Sequence, residues 1–524
     1  MAIHGHEDDV AATPTIQTDA KTDAKIVSPQ EESIHASEQS QGVLYMHRGL
    51  DPELAAAIAQ ISPERRAELS KRVKLKLDTI MFPTLLLFYI LNYLDRNALG
   101  FVKLAGIQED LNLSSTQFAT CLSILYVGYC LFQVPSNLML SKSKPSLYLP
   151  FWLFIWGIVS GCTAAVQSYS GLVTVRFVLG IVEAPFFPGA VFLISSWYTR
   201  KEMAMRCALL FGGNMLSNAF GSLIALGVTQ GLADAHGLAA WRWLFIIEAS
   251  MTVGFAVIAV FILPNYPHNT WWITGEERIV AKWRLIDDVG EADDSQTDDV
   301  SIWQGFTLAV KDCKTWILVW NHIFLTVGAG IVVFYPSVVG TLGFSREITY
   351  ALIVPPYMLG FATSVYGCHH ADKKKERTWH MIGSLSVTLV GLIILASTLN
   401  TGARYFSLFL VTCFVYIAFD CNLAWISNCI PRPAPKRAAA IALVNMLSQL
   451  GNIIAGYLYP DDQAPRYWMA CTVEAIAIVC AIVTTFVFRT ILKRENMKLD
   501  QKAMAEGGEA QITEGTLEKF RYIY

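Results

Sequence analysis

The chain has 524 residues, of which 53% are hydrophobic, 12% aromatic and only 16% charged, with a net charge of −3. That balance excludes an ordinary soluble globular protein and a basic nucleic-acid binder. Its 11 cysteines lie in or beside apolar runs without CxxC or Cys/His spacing, which argues for packing roles rather than for a disulfide framework or a zinc site.

Residues 1–76 read as an N-terminal tail. The first 50 or so are polar and rich in Asp, Glu, Ser and Thr, the composition of a disordered segment rather than of a signal peptide. "DPELAAAIAQISPERRAELSKRVKLKLD" then predicts a juxtamembrane helix, with Asp51-Pro52 and Ser62-Pro63 each pairing an N-cap with a first-turn proline. Its basic end (Lys71, Arg72, Lys74, Lys76) suits an anionic lipid surface. Apolar segments of spanning length, ~20 residues each, begin near Phe82, Phe118, Leu147, Leu172, Met205 and Trp241, within residues 77–264. A polar loop, 265–313, carries the acidic run "DDVGEADDSQTDD". Six more segments, within 314–492, begin near Thr315, Thr349, Trp379, Tyr405, Arg437 and Trp468, and 493–524 form a second polar tail. The expected fold is an all-α integral membrane protein of twelve spans in two six-helix bundles, the outline of a duplicated transporter.

Basic residues set the expected orientation. With the N-terminus inside, the cytoplasmic loops hold Lys142, Lys144, Arg200, Lys201, Arg206, Lys373, Lys374, Lys375, Arg377, Arg432, Lys436 and Arg437. The opposite loops hold Lys103, Arg346, Arg404 and Arg466, with Arg242 at a helix mouth. Both termini are therefore expected in the cytosol. The single sequon, Asn112-Leu113-Ser114, falls in the first outside loop, where a glycan on Asn112 is possible.

Polar residues inside spans are costly in lipid and therefore informative. "LNYLDRNALG" carries Asn92, Asp95, Arg96 and Asn97, and "RFVLGIVEAPFFPG" carries Arg176 and Glu183 two turns apart with Gly180 between. A structural ion pair between Arg176 and Glu183 competes with a functional reading. Span five holds Asn214 and Asn218. Span ten reads "FDCNLAWISN", with Asp420 and with Asn422, Trp425 and Asn428 on one face. Span eleven presents Asn445, Gln449 and Asn452 as one polar stripe, for which interhelical hydrogen bonding is the competing role. Glu248 and Glu474 read as structural. Pro185 and Pro188, Pro336 at the end of span seven, and Pro355 and Pro356 interrupt their spans as moving gates would.

With "LDRNALG", "RFVLGIVEAPFFPG", "WRWLFIIEAS", "PPYMLG" and "KRAAAIALVNMLSQLGNIIAGYLYP", the chain resembles the major facilitator superfamily over about residues 80–490. It resembles in particular the anion:cation symporter branch of fungal allantoate, nicotinate and pantothenate permeases, and more distantly sialin and the vesicular glutamate transporters. The resemblance implies that Arg96 meets a substrate carboxylate, that Arg176 and Gly180 form the RxxxG of span four, and that Glu183 answers to protons. It further implies that Asp372, Lys373 and Arg377 in "HHADKKKER" form a gating loop, with Gly180 among the gating residues. Two departures stand out. "PSNLMLSKSKPS" lacks the superfamily's aspartate, and Asp420 replaces a small or neutral residue.

The expected site is thus Arg96, Asn92, Tyr93, Arg176, Trp425, Asn428, Asn445 and Gln449 around substrate, with Glu183, Asp95 or Asp420 carrying the proton. The expected activity is proton-coupled symport of a small organic anion by a monomeric carrier in a lipid bilayer, with no nucleic acid and no cofactor as partner. Export of an acidic metabolite is the alternative. A non-transporting nutrient receptor fits less well with the short loop and tails, and no GxxxxGK[ST], GxSxG or HExxH gives an enzyme reading a site.

Overall fold

In a computed structural model of the chain, the described residues are 52–140, 143–233, 235–267, 269–290, 302–374, 376–430 and 434–505. Residues 1–51 with the Asp51 cap, residues 506–524 and most of the acidic run lie outside them. The described residues form helices, turns and loops, with no strand among them. The helix Pro52–Ala59 belongs to a separate unit that ends at Ile61. From Ser62 onward the spans are α1 (Phe82–Leu104), α2 (Ser115–Leu140), α3 (Pro145–Cys162), α4 (Tyr169–Glu183, then Phe186–Ser195), α5 (Arg200–Gly231) and α6 (Ala240–Ile262). Then follow α7 (Cys313–Gly328, then Ile331–Gly340), α8 (Arg346–Lys374), α9 (Thr378–Ser397), α10 (Thr401–Cys429), α11 (Ala434–Ala455) and α12 (Trp468–Ala505).

Eleven of these are long and apolar enough to cross a membrane. Among the described residues of α11, the apolar stretch is Ala439–Ala455. The outward faces expose Phe151, Phe261, Ile393 and Val483, as a lipid-facing surface requires, because lipid tails are as apolar as these side chains. Trp303, Trp379 and Trp468 are exposed at helix ends, where indoles favour the interface.

Local chemistry sets the ends. Ser62 caps the helix Pro63–Lys76 by accepting from Arg65 N at 3.3 Å. Ser114, the sequon hydroxyl, caps α2 in a reciprocal box: Gln117 N donates to its Oγ at 3.2 Å, and Ser114 N donates to Gln117 Oε1 at 2.9 Å. Asn112 beside it is exposed at φ 50°, a left-handed conformation that Asn tolerates. The sequon's two polar residues thus also have structural work.

Three expectations need correction. Pro336 lies inside the second segment of α7 and does not end the span; the break falls at Ala329-Gly330. α8 runs unbroken through Pro355 and Pro356, as membrane helices tolerate when neighbours satisfy the freed carbonyls; Leu352 O, freed by Pro356, accepts from Tyr405 Oη at 3.1 Å. The central loop is not only a polar linker. It contains the helix Glu276–Gly290, whose Glu276 and Glu277 bind Arg65 and Lys76 at 3.2 and 2.6 Å, and an amphipathic helix, Ile302–Lys311.

The spans α1–α6 pack with one another, and α7–α12 do likewise. The two sets meet along α1/α7, α2/α11 and α5/α8. Those seams are tight where α1 and α11 end and α8 begins. A Cβ at Gly100 would lie 2.6 Å from Val333 O. Ser123 Oγ donates to Ile453 O at 3.2 Å, Tyr350 Oη donates to Phe101 O at 2.9 Å, and Ser222 Oγ donates to Tyr350 O.

Candidate functional site

Between the two sets of spans lies a cavity of about 110 Å³. α1 contributes Asn92, Tyr93 and Arg96, α2 contributes Tyr126 and Tyr129, and α5 contributes Phe211 and Asn214. The other set contributes His322 and Thr326 from α7, Tyr416 and Phe419 from α10, and Asn445, Gln449 and Asn452 from α11. Aromatic faces thus surround a few polar groups and one guanidinium, the composition of a small-molecule site.

Arg96 is held from three sides. Its Nε and Nη2 donate to Glu183 Oε2 at 3.0 and 2.9 Å, and its guanidinium lies over the rings of Tyr129 and Tyr93, 4.8 and 5.1 Å from their centroids. Glu183 is fully buried and Arg96 is 8% exposed. Only two of the five guanidinium N–H groups are used on Glu183, so the others remain to meet a ligand in the cavity. Glu183 Oε1 has no partner.

The pair joins α1 to α4 and leaves Arg176 out. Arg176 instead donates from Nη1 to Asp95 O at 3.3 Å, with Nε and Nη2 unpartnered. Neither Arg176 nor Asp95 lines the cavity. Successive helical residues point 100° apart, so with Arg96 facing the cavity Asp95 turns into the packed interior. There it accepts from Ser160 Oγ at 2.6 Å, Trp156 Nε1 at 2.8 Å and Thr252 Oγ1 at 3.3 Å. Glu248 shares that interior, with both carboxyl oxygens unpartnered. It reads as structural from sequence; the structure makes it a second carboxyl of the same buried cluster.

In the other half, Asp420 accepts from Ser364 Oγ, buried and away from the cavity. Trp425 is also off the cavity, fully buried edge-to-face on Phe488 at 4.9 Å. The Asn428 side chain lies outside the described residues. Asn445, Gln449 and Asn452 do face the cavity, and they also bond along their own helix, Asn452 Nδ2 to Gln449 Oε1 at 2.9 Å. Gly180 meets the backbone of α2, where an added Cβ would sit 2.0 Å from Leu125 O. The expected gating loop is partly helical: Asp372 and Lys373 lie in the last turn of α8, where Asp372 Oδ1 accepts from Arg377 Nη2 at 2.8 Å and Lys373 is exposed. Glu474 accepts from Tyr459 Oη at 2.7 Å beside the break of α7.

The sequence reading named Tyr93 but missed His322, Tyr89, Tyr126, Tyr129 and Tyr416. A histidine in "TWILVWNHIFLTVG" is a titratable group within a span and carries the same signal that marked Arg96.

Asp461, in the turn that follows α11, latches the two halves. Lys103 Nζ, Ser115 Oγ and Gln108 Nε2 donate to it at 2.6, 2.6 and 3.0 Å. Burial works to raise its pKa, but these hydrogen bonds and the Lys103 charge outweigh burial and hold the carboxyl below its usual range. A carboxyl depressed in the latched state stabilises that state above its free pKa of about 3.9, and the stabilisation is lost only as pH falls through the lower value. Asp461→Asn is therefore expected to change transport rates several-fold without altering the shape of the pH profile between about pH 5 and 8. A profile flattened by the substitution in an initial-rate uptake assay would contradict this.

Two sets of six spans, eleven of the helices long and apolar enough to cross a membrane, enclose a central cavity lined from both sets. The sequence model of the Major Facilitator Superfamily matches residues 85–456, and the chain belongs to that family of membrane transporters. It is 32% identical over 455 residues to the MFS-type transporter cnsO of Penicillium expansum, covering 83% of this chain and 86% of that one. It is 28% identical over 440 residues to the high-affinity nicotinic acid transporter of Saccharomyces cerevisiae, covering 83% and 80%. Among solved structures, a bacterial homologue of the human lysosomal transporter Spinster, inward-facing and unoccupied, superposes with a TM-score of 0.58 over 81% of this chain and 95% of that one, at 15% identity. That likeness bears on the fold alone.

Proposed function

We propose that this transporter is a proton-coupled symporter of a small organic anion, working by alternating access with both termini in the cytosol, at the plasma membrane. One observation carries the reading: the only cationic side chain among the described cavity-lining residues, Arg96, is already engaged by a buried carboxylate, Glu183. An anion entering the cavity competes with Glu183 for the guanidinium. Protonating Glu183 removes the competitor, so proton and anion favour each other's binding, and that mutual preference is the thermodynamic content of symport. The nicotinic acid transporter among the relatives is consistent with a carboxylate cargo.

The test is uptake into transport-deficient cells of a panel of labelled organic acids, with and without a protonophore. At least one carboxylate should accumulate, and the protonophore should lower its steady-state level tenfold or more. Accumulation indifferent to the protonophore would overturn the proton coupling, and no uptake of any organic acid would overturn the anion.

A further inference from the structure

Opposite Arg96, the other half of the cavity contains one ring whose proton position is dictated by its neighbours. His322 Nδ1 lies 2.8 Å from Asn422 Nδ2, an amide nitrogen that can only donate. The amide is oriented in turn: Asn422 Oδ1 accepts from Asn321 Nδ2 at 3.0 Å, and Asn321 Oδ1 accepts from Thr485 Oγ1 at 3.4 Å. All four residues are buried. The chain of donors runs in one direction, from Thr485 through Asn321 and Asn422 to His322. His322 Nδ1 must accept, so the neutral ring carries its proton on Nε2. The ring packs on Phe419, 4.6 Å between centroids, and lines the cavity.

We infer that His322 is a specificity-determining residue, donating Nε2–H to a hydrogen-bond acceptor that the substrate carries away from its carboxylate. The inference rests on the anion reading above and narrows it: the cargo is a planar aromatic acid with a second acceptor on its ring. Three features agree. The cavity of about 110 Å³ corresponds to roughly seven to eleven water-sized volumes, enough for one ring and its carboxylate. Tyr93, Tyr129, Tyr416 and Phe419 line the cavity and supply aromatic surface for such a ring to pack against. Arg96 and His322 belong to opposite halves, so only a substrate that engages both ties the halves together, which gives it a differential affinity for the closed state.

The test is binding of pyridine-3-carboxylate and of benzoate to the purified full-length protein near neutral pH. The two acids share shape and carboxylate and differ in the ring acceptor. The wild type should prefer the pyridine acid at least tenfold, because a site built to donate rejects an analogue that leaves the donor unpaired. His322→Phe should bring the preference to near one through loss of pyridine-acid affinity, with benzoate changed less than about threefold. His322→Gln, which restores an N–H at similar reach, should keep most of the preference. Should His322→Phe fail to give a monodisperse protein, the wild-type preference and the His322→Gln result decide. Equal binding of the two acids by the wild type, an undiminished preference in His322→Phe, or a preference lost in His322→Gln overturns the inference and leaves anion symport standing. Binding of neither acid, with other organic acids taken up in the cell assay, overturns it likewise, whereas no uptake of any acid defeats the symport reading itself.

Discussion

Gly180→Ala is expected to yield almost no folded transporter, although it adds a single methyl group. The Cβ would sit 2.0 Å from Leu125 O, 2.9 Å from Leu125 C and 2.9 Å from Tyr129 N, all but overlapping the backbone of α2. Gly128 answers from the other side, its Cβ position 2.3 Å from Phe177 O. Two glycines facing each other let α2 and α4 cross at backbone contact, which is how membrane helices gain packing without a hydrophobic driving force. Backbone cannot swing aside as a side chain can, so separating the helices would loosen the α4 segment that presents Glu183. Overpacking costs 1–3 kcal/mol and occasionally more; here a loss of about 3 kcal/mol or beyond is expected, read as early thermal unfolding in detergent. Gly254→Ala and Gly383→Ala are the controls. Nothing lies within 4 Å of either Cβ position, and each should be neutral or gain up to ~1 kcal/mol of helix propensity. A Gly180→Ala protein as stable as the Gly254→Ala protein would show that the crossing is not rigid.

What the sequence made legible follows from what lipid makes expensive. Twelve runs of spanning length were countable because the bilayer fixes their length, and their starts fall within five residues of the helices found, Met205 against Arg200 being the widest gap. Arg96 and Glu183 stood out because full charges in an apolar span need a reason, and Asn445, Gln449 and Asn452 because steps of four and three put them on one face. Pairing was not legible. Arg176 and Glu183 share a helix face, but Arg96 reaches Glu183 from α1, and no periodicity within one helix encodes which neighbour will face it. Trp425 looked like site and is core, since a residue on a polar stripe still needs its stripe turned toward the cavity. Tyr93 was named beside Arg96, but Tyr89, Tyr126, Tyr129 and Tyr416 were passed over because tyrosine in a span also reads as an interface anchor. Gly180 was visible as a motif residue, but the backbone it touches is a property of the crossing.

The Arg96–Glu183 pair gives the second large effect, and three variants separate its roles. Arg96→Ala leaves Glu183, fully buried, without its counter-charge, and breaking a buried pair from one side costs ~3–5 kcal/mol. Loss of transport in that variant alone would therefore not distinguish an anion site from a damaged fold. Glu183→Gln is gentler. Its amide oxygen can still accept from Arg96, the rings of Tyr93 and Tyr129 still face the guanidinium, and Arg96 keeps its opening to the cavity. This variant is expected to fold, to bind and exchange substrate, and to lose uphill accumulation driven by a pH gradient, because a side chain that cannot ionise carries no proton through the cycle. In the double variant Arg96→Ala/Glu183→Gln neither partner strands a charge, so stability should recover most of what Arg96→Ala alone lost, a coupling of 1 kcal/mol or more. Substrate binding should stay absent, since the guanidinium is gone. Stability measured by thermal unfolding and exchange measured in proteoliposomes thus report separately on the two functions of one ion pair. A double variant that is stable and still exchanges the anion would remove Arg96 from the substrate site. A Glu183→Gln protein that still accumulates substrate against a gradient would move the proton to Asp420 or Asp95, whose hydroxyl partners Ser364 and Ser160 would then be the groups to replace next.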